Sequence, residues 1–221
     1  MDGVERLQYR FDRRQLEEIK TVVHNSAIEG ARKTSTHDCL VAYLITVLNR
    51  CMENPIQRVT NVGSYRHVAA SFIDPDFAGN AIHVVCTDIH GTLPTDMAGI
   101  SVAIRESIIR WRDPALLEKW LGTASHLMLE AANTGKAMFF APREDVLTIN
   151  SNVLIDWRTI HFGFEQFSSH FTAGVNKFYL RMHKSNPISG VQRFTRDGID
   201  ISLGIPRGMK QEVLDLVEGR F

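Results

Sequence analysis

The spacing of apolar residues switches along this chain between a period of two and a period of about 3.6, and that succession limits the folds open to it. Leu7-Gln8-Tyr9-Arg10-Phe11 alternates apolar and polar side chains and predicts a half-buried strand. Leu16, Ile19, Val22 and Val23 then recur at helical spacing. Residues 30–34 read as a basic loop, after which Ser35 or Thr36 caps a helix that buries Leu40, Val41, Leu44, Val47 and Leu48. Residues 58–66 are strand-like, Asp74-Pro75-Asp76 is a turn, and residues 81–86 predict a buried strand. Two helices follow over 98–111 and 114–132, with Pro114 suited to a first helical turn, where its missing donor costs nothing. Further strands are expected over 146–150 and 175–182, with residues 153–164 mostly extended between them. A turn over 185–190 leads to a hairpin of 191–195 with 199–204 about Arg196-Asp197-Gly198, and residues 209–217 close as a helix. Strands interrupted by helix pairs and ending in consecutive strands describe a mixed β-sheet covered by helices, in the α/β or α+β class. A dinucleotide fold needs a glycine-rich turn directly after its first strand, and none is there.

At 221 residues the chain is long enough for one sizeable core, and we read residues 1–221 as a single domain. Lys plus Arg and Asp plus Glu both total 25, so the electrostatic excess of a general nucleic-acid or membrane-surface binder is missing. Cys39, Cys51 and Cys86 are an odd and scattered set, which fits a reducing compartment better than a disulfide framework or a thiolate zinc site. No run reaches the roughly 18–20 apolar residues that span a bilayer, and residues 1–10 contain no signal-peptide core. The expectation is a soluble, cytoplasmic protein.

Nine histidines invite a metal or catalytic reading, yet none stands at a familiar ligand spacing, and no metal site is predicted. Ser35, His37 and Asp38 form a triad only on paper. Neighbours on one helix point in divergent directions, so a helix start with a Ser or Thr cap and Asp38 favouring the dipole is expected instead. His83 and Asp88 stand five apart, whereas His126 and Glu130 are four apart and fit a surface ion pair.

Three segments occur in an order that resembles the second half of the BAHD-type acyltransferases, CoA-dependent enzymes whose catalytic motif is HxxxD. Residues 35–42, Ser-Thr-His-Asp-Cys-Leu-Val-Ala, are similar to the family's S-T-N-D-x-L-x-A helix start. Phe77-Ala78-Gly79-Asn80-Ala81 resembles its Y-F-G-N-A, with Arg66 similar to an arginine upstream of it. His161-Phe162-Gly163-Phe164 stands where the family has D-F-G-W. Asp197-Gly198-Ile199-Asp200-Ile201 with Met209, and Leu7 to Phe11, resemble further strands and the closing helix, so the likeness spans essentially the whole chain. It implies a chloramphenicol-acetyltransferase-like domain, the C-terminal half of a two-domain enzyme, of fungal rather than plant type.

The family's HxxxD lies in its N-terminal domain, and no HxxxD occurs in these 221 residues. The resemblance therefore implies a domain that transfers an acyl group from acyl-CoA, as co-substrate, to a hydroxyl or amine of a small-molecule acceptor, only with a missing N-terminal domain that supplies the general base. It also implies that the ion pair of Arg66, whose family partner is replaced by His161, is either lost or replaced by a pair with another carboxylate.

Two sets of site residues are implied. Asn150, Ser151 and Asn152 occupy a stretch that faces the family's tunnel, where amides and a hydroxyl donate to a developing oxyanion; the alternative is that they meet water at a domain face. Arg32, Lys33, Ser35 and Thr36 place cations, hydroxyls and helix-start amides together as a CoA phosphate site; the alternative is an exposed loop with an ordinary cap. Gly79 is expected where the backbone approaches a neighbour closely. A tunnel wall without its second domain exposes apolar surface and suits a homodimer through that face. A non-catalytic binding module derived from such an enzyme is the competing reading.

Overall fold

The computed structural model describes residues 3–89, 96–136, 143–155, 163, 171–172, 176–186 and 198–219. Among them the strands β1 (Val4–Phe11), β2 (Arg58–Ser64), β3 (Ile82–Asp88), β4 (Val146–Ser151), β5 (Tyr179–Lys184) and β6 (Ile199–Pro206) form one mixed sheet. Its order is β1-β6-β5-β4-β2-β3. The chain's ends meet in the antiparallel pair of β1 with β6, where Leu7 lies opposite Leu203. β4 runs parallel to both β2 and β5, whereas β3 and β6 return antiparallel. The mixed α/β sheet expected from the sequence is the observed one.

Five helices accompany it among the described residues: α1 (Arg13–His24), α2 (Thr36–Cys51), α3 (Met97–Arg110), α4 (Pro114–Asn133) and α5 (Lys210–Glu218). α2 is the centre of the helical layer, because every residue from Asp38 to Ile45 is buried. It packs on α1, α3 and α5. Alternate strand residues (Leu7, Val59, Leu147, Ile149, Leu180, Ile201 and Leu203 among them) join these helices in a single core. At 25–30 cal/mol per Å² of apolar area, each such Leu or Ile contributes about 1.5–3 kcal/mol. The intervening residues point to the other side of the sheet, as a pleat requires. There Thr60 donates to Thr148 at 2.9 Å and the Arg181 guanidinium lies 4.5 Å over the Tyr179 ring.

Several elements differ from expectation. β3 is the terminal strand in the sheet order, and only His83, Val85 and Thr87 are buried while Ile82, Cys86 and Asp88 are exposed, so it is half-buried rather than fully buried. β5 begins at Tyr179 because Phe178 adopts φ 51°, a left-handed conformation that an extended strand excludes. Residues 153–155 turn instead of extending, since the Ile155 amide donates back to the Asn152 carbonyl at 3.0 Å. The expected strand at 191–195, its turn and most of 156–164 lie outside the described residues.

Arg66 does not face a carboxylate among the described residues. Its guanidinium donates to the carbonyls of Phe77, at 3.2 Å, and of Gly79, which ties the two family-like segments together. A Cβ on Gly79 would run into the Phe77 ring, as a close approach there requires. His126 and Glu130 are both exposed on α4, and the expected ion pair between them is not among the contacts of the described residues. His83 and Asp88 point to opposite sides of β3, and Asp88 instead accepts from Arg58 at 2.5 Å.

Candidate functional site

The N-terminus of α2 meets the sheet where His37 reaches Asn61 of β2, beside the last residues of the parallel pairing of β2 with β4. Ser35 caps α2, its hydroxyl facing the Asp38 amide while the Asp38 carboxylate accepts from the Ser35 amide at 2.7 Å. The capping-box geometry confirms Ser35, rather than Thr36, as the cap. Asp38 is fully buried and would carry an uncompensated charge there, but Arg105 from α3 donates to it through Nε at 2.7 Å and also reaches the Ser35 hydroxyl. Ser35 is thus committed on both sides to protein partners. The amides of Thr36 and His37, in the first turn, have no partner among the described residues.

The segment before the cap is a single 3-10 turn, Ala31–Lys33, and not the open loop expected from its basic sequence. Gly30 at φ 82° starts it, and buried Ala31 anchors it. Thr34 donates its hydroxyl to the Ala31 carbonyl at 2.6 Å, and His24 of α1 bonds the Thr34 carbonyl at 3.1 Å. The turn is held from behind, and its two cations, Arg32 and Lys33, are exposed.

His37 diverges from Ser35 and Asp38, so the paper triad is not formed. Its Nε2 lies 3.0 Å from Oδ1 of Asn61 on β2, and a carbonyl oxygen can only accept, so Nε2 carries the proton. Burial pushes the His37 pKa below its ordinary value against the pull of Asn61 and Asp38, and the Arg105 charge adds to the lowering. Asn61 is buried at 6% exposure, and its Nδ2 has no partner among the described residues; nor has Oδ1 of Asp38. Sequence reasoning missed both Asn61 and Arg105, because each acts across about 24 and 67 residues of chain and neither belongs to a local pattern.

The three residues at the end of β4 do not act together. Ser151 continues the core-facing row of Leu147 and Ile149, and Ile149 is the register partner of Asn61. Ser151 therefore lies one pleat beyond Asn61 on the neighbouring strand and on the same side of the sheet. Asn150 points the other way, its Nδ2 donating to the Tyr179 hydroxyl at 3.3 Å. Asn152 closes the strand with its amide on the Met182 carbonyl at 2.8 Å, and its side chain stands half-buried at the rim. Leu154 and Ile155 beside it are 97% and 42% exposed, an apolar edge next to the polar strand ends.

A separate cleft of about 470 Å³ runs along the other end of α2, between Tyr43, Arg50 and Asp215. Among the described residues no group of three or more His, Cys, Asp or Glu is placed to hold a metal, and no helix is long and apolar enough to cross a membrane.

Neither protein-family models nor curated proteins show a match to this sequence. Solved structures do. Vinorine synthase is similar over 99% of this chain and 48% of its own, with a TM-score of 0.68 and 12% identity. TRI101 of F. sporotrichioides, complexed with coenzyme A and T-2, is similar over 98% of this chain and 49% of its own, with a TM-score of 0.66 and 11% identity. TRI101 of F. graminearum, complexed with ethyl coenzyme A, gives a TM-score of 0.66 at 13% identity over 98% and 48%. The fold is that of these chloramphenicol-acetyltransferase-like acyltransferase structures, and the chain spans about half the length of each.

Proposed function

We propose that this chain is the C-terminal half of a CoA-dependent acyltransferase of the BAHD type, binding acyl-CoA at the α2 N-terminus and working with a second domain that carries the general base. The observation that carries this reading is the coverage: 98–99% of the chain is similar to about half of neighbours, two of which hold coenzyme A or its ethyl derivative. Arg32 and Lys33 supply charge for the phosphates, and the first-turn amides of Thr36 and His37 supply donors. Ser35 serves this site as the cap that fixes the turn, since its hydroxyl is engaged by Asp38 and Arg105. Ser151 and Asn152 stand at the strand ends as donors toward the acyl and acceptor end.

In this reading the acceptor hydroxyl or amine loses its proton to the partner domain's histidine and attacks the thioester carbonyl; the C–S bond then breaks and CoA leaves as the thiol. Without that base the chain alone is inactive, because its loss typically costs about 10²–10⁴ in rate. Acetyl-CoA or a longer acyl-CoA incubated with the purified chain and a mixture of small alcohols and amines is expected to release no thiol above a buffer blank. Turnover by the chain alone would overturn the half-enzyme reading. The exposed apolar residues beside the strand ends support concentration-dependent self-association as a homodimer, and a strict monomer by sedimentation at high concentration would remove that part of the proposal.

A further inference from the structure

Among the described residues α4 is the one helix that does not bed into the core around α2. Leu117 is the single buried residue of its twenty, and it lies outside the core that the other four helices share. Leu117, Trp120, Leu121, Ala124, Met128 and Ala131 recur at helical spacing, so α4 has an apolar face. The body covers the start of that face, whereas Met128 further along it is 52% exposed.

The sheet meets α4 with a histidine. His83 of β3 is 3% exposed, and its ring lies 6.0 Å from that of Trp120 and 6.1 Å from that of Tyr65, centroid to centroid. Beside it is Gly63 of β2, where a Cβ would stand 3.6 Å from the imidazole. Neither ring nitrogen has a hydrogen-bond partner among the described residues. The groups that act on the ring are Trp120 from α4, Tyr65 directly after β2, the Gly63 backbone, and the charge of Arg112 from the turn before α4. None of these is a carboxylate.

We propose that His83 is a proton-sensitive catch for α4: protonation of the imidazole releases the helix from β3 while the core stays folded. A neutral ring packs here as an apolar side chain, but a cation has neither a counter-charge nor water until α4 lifts. Burial holds the pKa below its ordinary value, and the Arg112 charge acts in the same direction. The seat of α4 is therefore complete above the ordinary histidine pKa of about 6.5 and weakens as pH falls below it. An element with so few buried side chains opens more easily than the core. Once its apolar face loses the sheet, most of the support for its own helical hydrogen bonds is gone.

Amide exchange on the full chain, corrected for the intrinsic effect of pH, reads the helices separately. Between pH 7.5 and 5.5 protection from Leu117 to Ala131 is expected to fall about 10-fold, the linkage of one histidine taken a unit below its ordinary pKa. Protection from Leu40 to Leu48 of α2 is expected to stay constant. Constant protection of α4, an α4 already unprotected at pH 7.5, or a parallel loss in α2 overturns the proposal. His83→Phe keeps an aromatic ring against Trp120 and is expected to retain α4 protection while abolishing the pH step. A step that persists belongs to another group, such as the exposed His126, and overturns the role of His83. The ring's own titration by NMR in the wild type needs no substitution. A midpoint below the ordinary value is expected, and one at or above it overturns the proposal, because the aromatic neighbours then hold the cation in place.

Discussion

Arg105 of α3 donates through Nε to Asp38 of α2 at 2.7 Å, and this pair locks the start of one helix to the middle of the next. The carboxylate is fully buried whereas the guanidinium side chain keeps 21% exposure, so among the described residues the arginine is the charge that compensates Asp38. Removing one partner of a buried ion pair leaves the other unpaired, which costs about 3–5 kcal/mol. Arg105→Ala is therefore expected to lower the unfolding free energy by about that amount in urea, with Arg105→Lys losing less. A loss within experimental error would show that water reaches Asp38.

The second expectation concerns acid. His83 on β3 is 3% exposed, has no hydrogen-bond partner for either ring nitrogen among the described residues, and lies against Trp120 of α4 and Tyr65, with ring centroids at 6.0 and 6.1 Å. Burial holds its pKa below the usual value despite the Gly63 backbone, and the Arg112 charge acts in the same direction. The unfolded chain then binds the proton more readily than the folded one, so stability is complete above the ordinary histidine pKa of about 6.5 and falls as pH drops below it. Thermal melts between pH 7.5 and 5 are expected to show that decline, and His83→Phe to flatten it. The lowered pKa of His37 contributes in the same sense. An unchanged slope in the double variant His83→Phe, His37→Asn would mean that other groups set the acid limit.

Asp200 of β6 acts in the same sense at lower pH, from a different cause. Burial alone would raise its pKa, but Arg10 donates to it at 2.6 and 2.8 Å, the Asn186 amide at 2.9 Å and the Ser185 hydroxyl at 3.0 Å, and together they hold the carboxyl below its usual range. Stability from this cluster is present above about pH 4 and disappears as pH falls through the depressed value. Asp200→Asn is expected to cost about 1.5–3 kcal/mol, the usual worth of hydrogen bonds to a charged group, and to loosen the pairing of β1 with β6. Amide exchange that stays equally slow across Leu7 to Phe11 in the variant would contradict it.

The Arg32–Lys33 turn and the Ser35 cap are expected to separate experimentally. Replacing both cations by Ala is expected to abolish CoA binding while leaving stability within about 0.5 kcal/mol, since both side chains are exposed. Ser35→Ala is expected to cost about 1 kcal/mol or more through loss of the cap. Binding by the wild type should also weaken with added salt, because exposed charges are screened beyond about 10 Å at 0.1 M. Equal CoA affinity of the double variant and the wild type would place the phosphates elsewhere.

Local information wrote most of the secondary structure. The capping box at Ser35, Pro114 in the first turn of α4 and the alternation of Leu7 to Phe11 are short-range signals, and each produced the element it predicts. The sequence also determined the class, because a mixed sheet under a helical layer is the arrangement that buries both apolar periods at once. It could not specify the order β1-β6-β5-β4-β2-β3, nor that β3 ends it, since strand neighbours are chosen by packing across the whole chain. The same limit applies to the site. Arg32, Lys33 and Ser35 are readable as a helix start, but that Ser35 is consumed by Arg105, that His37 meets Asn61, and that Ser151 rather than Asn150 faces the helices are decided by tertiary register. A one-residue step along a strand reverses the face, and a hydrogen bond between residues far apart in sequence leaves no period to read.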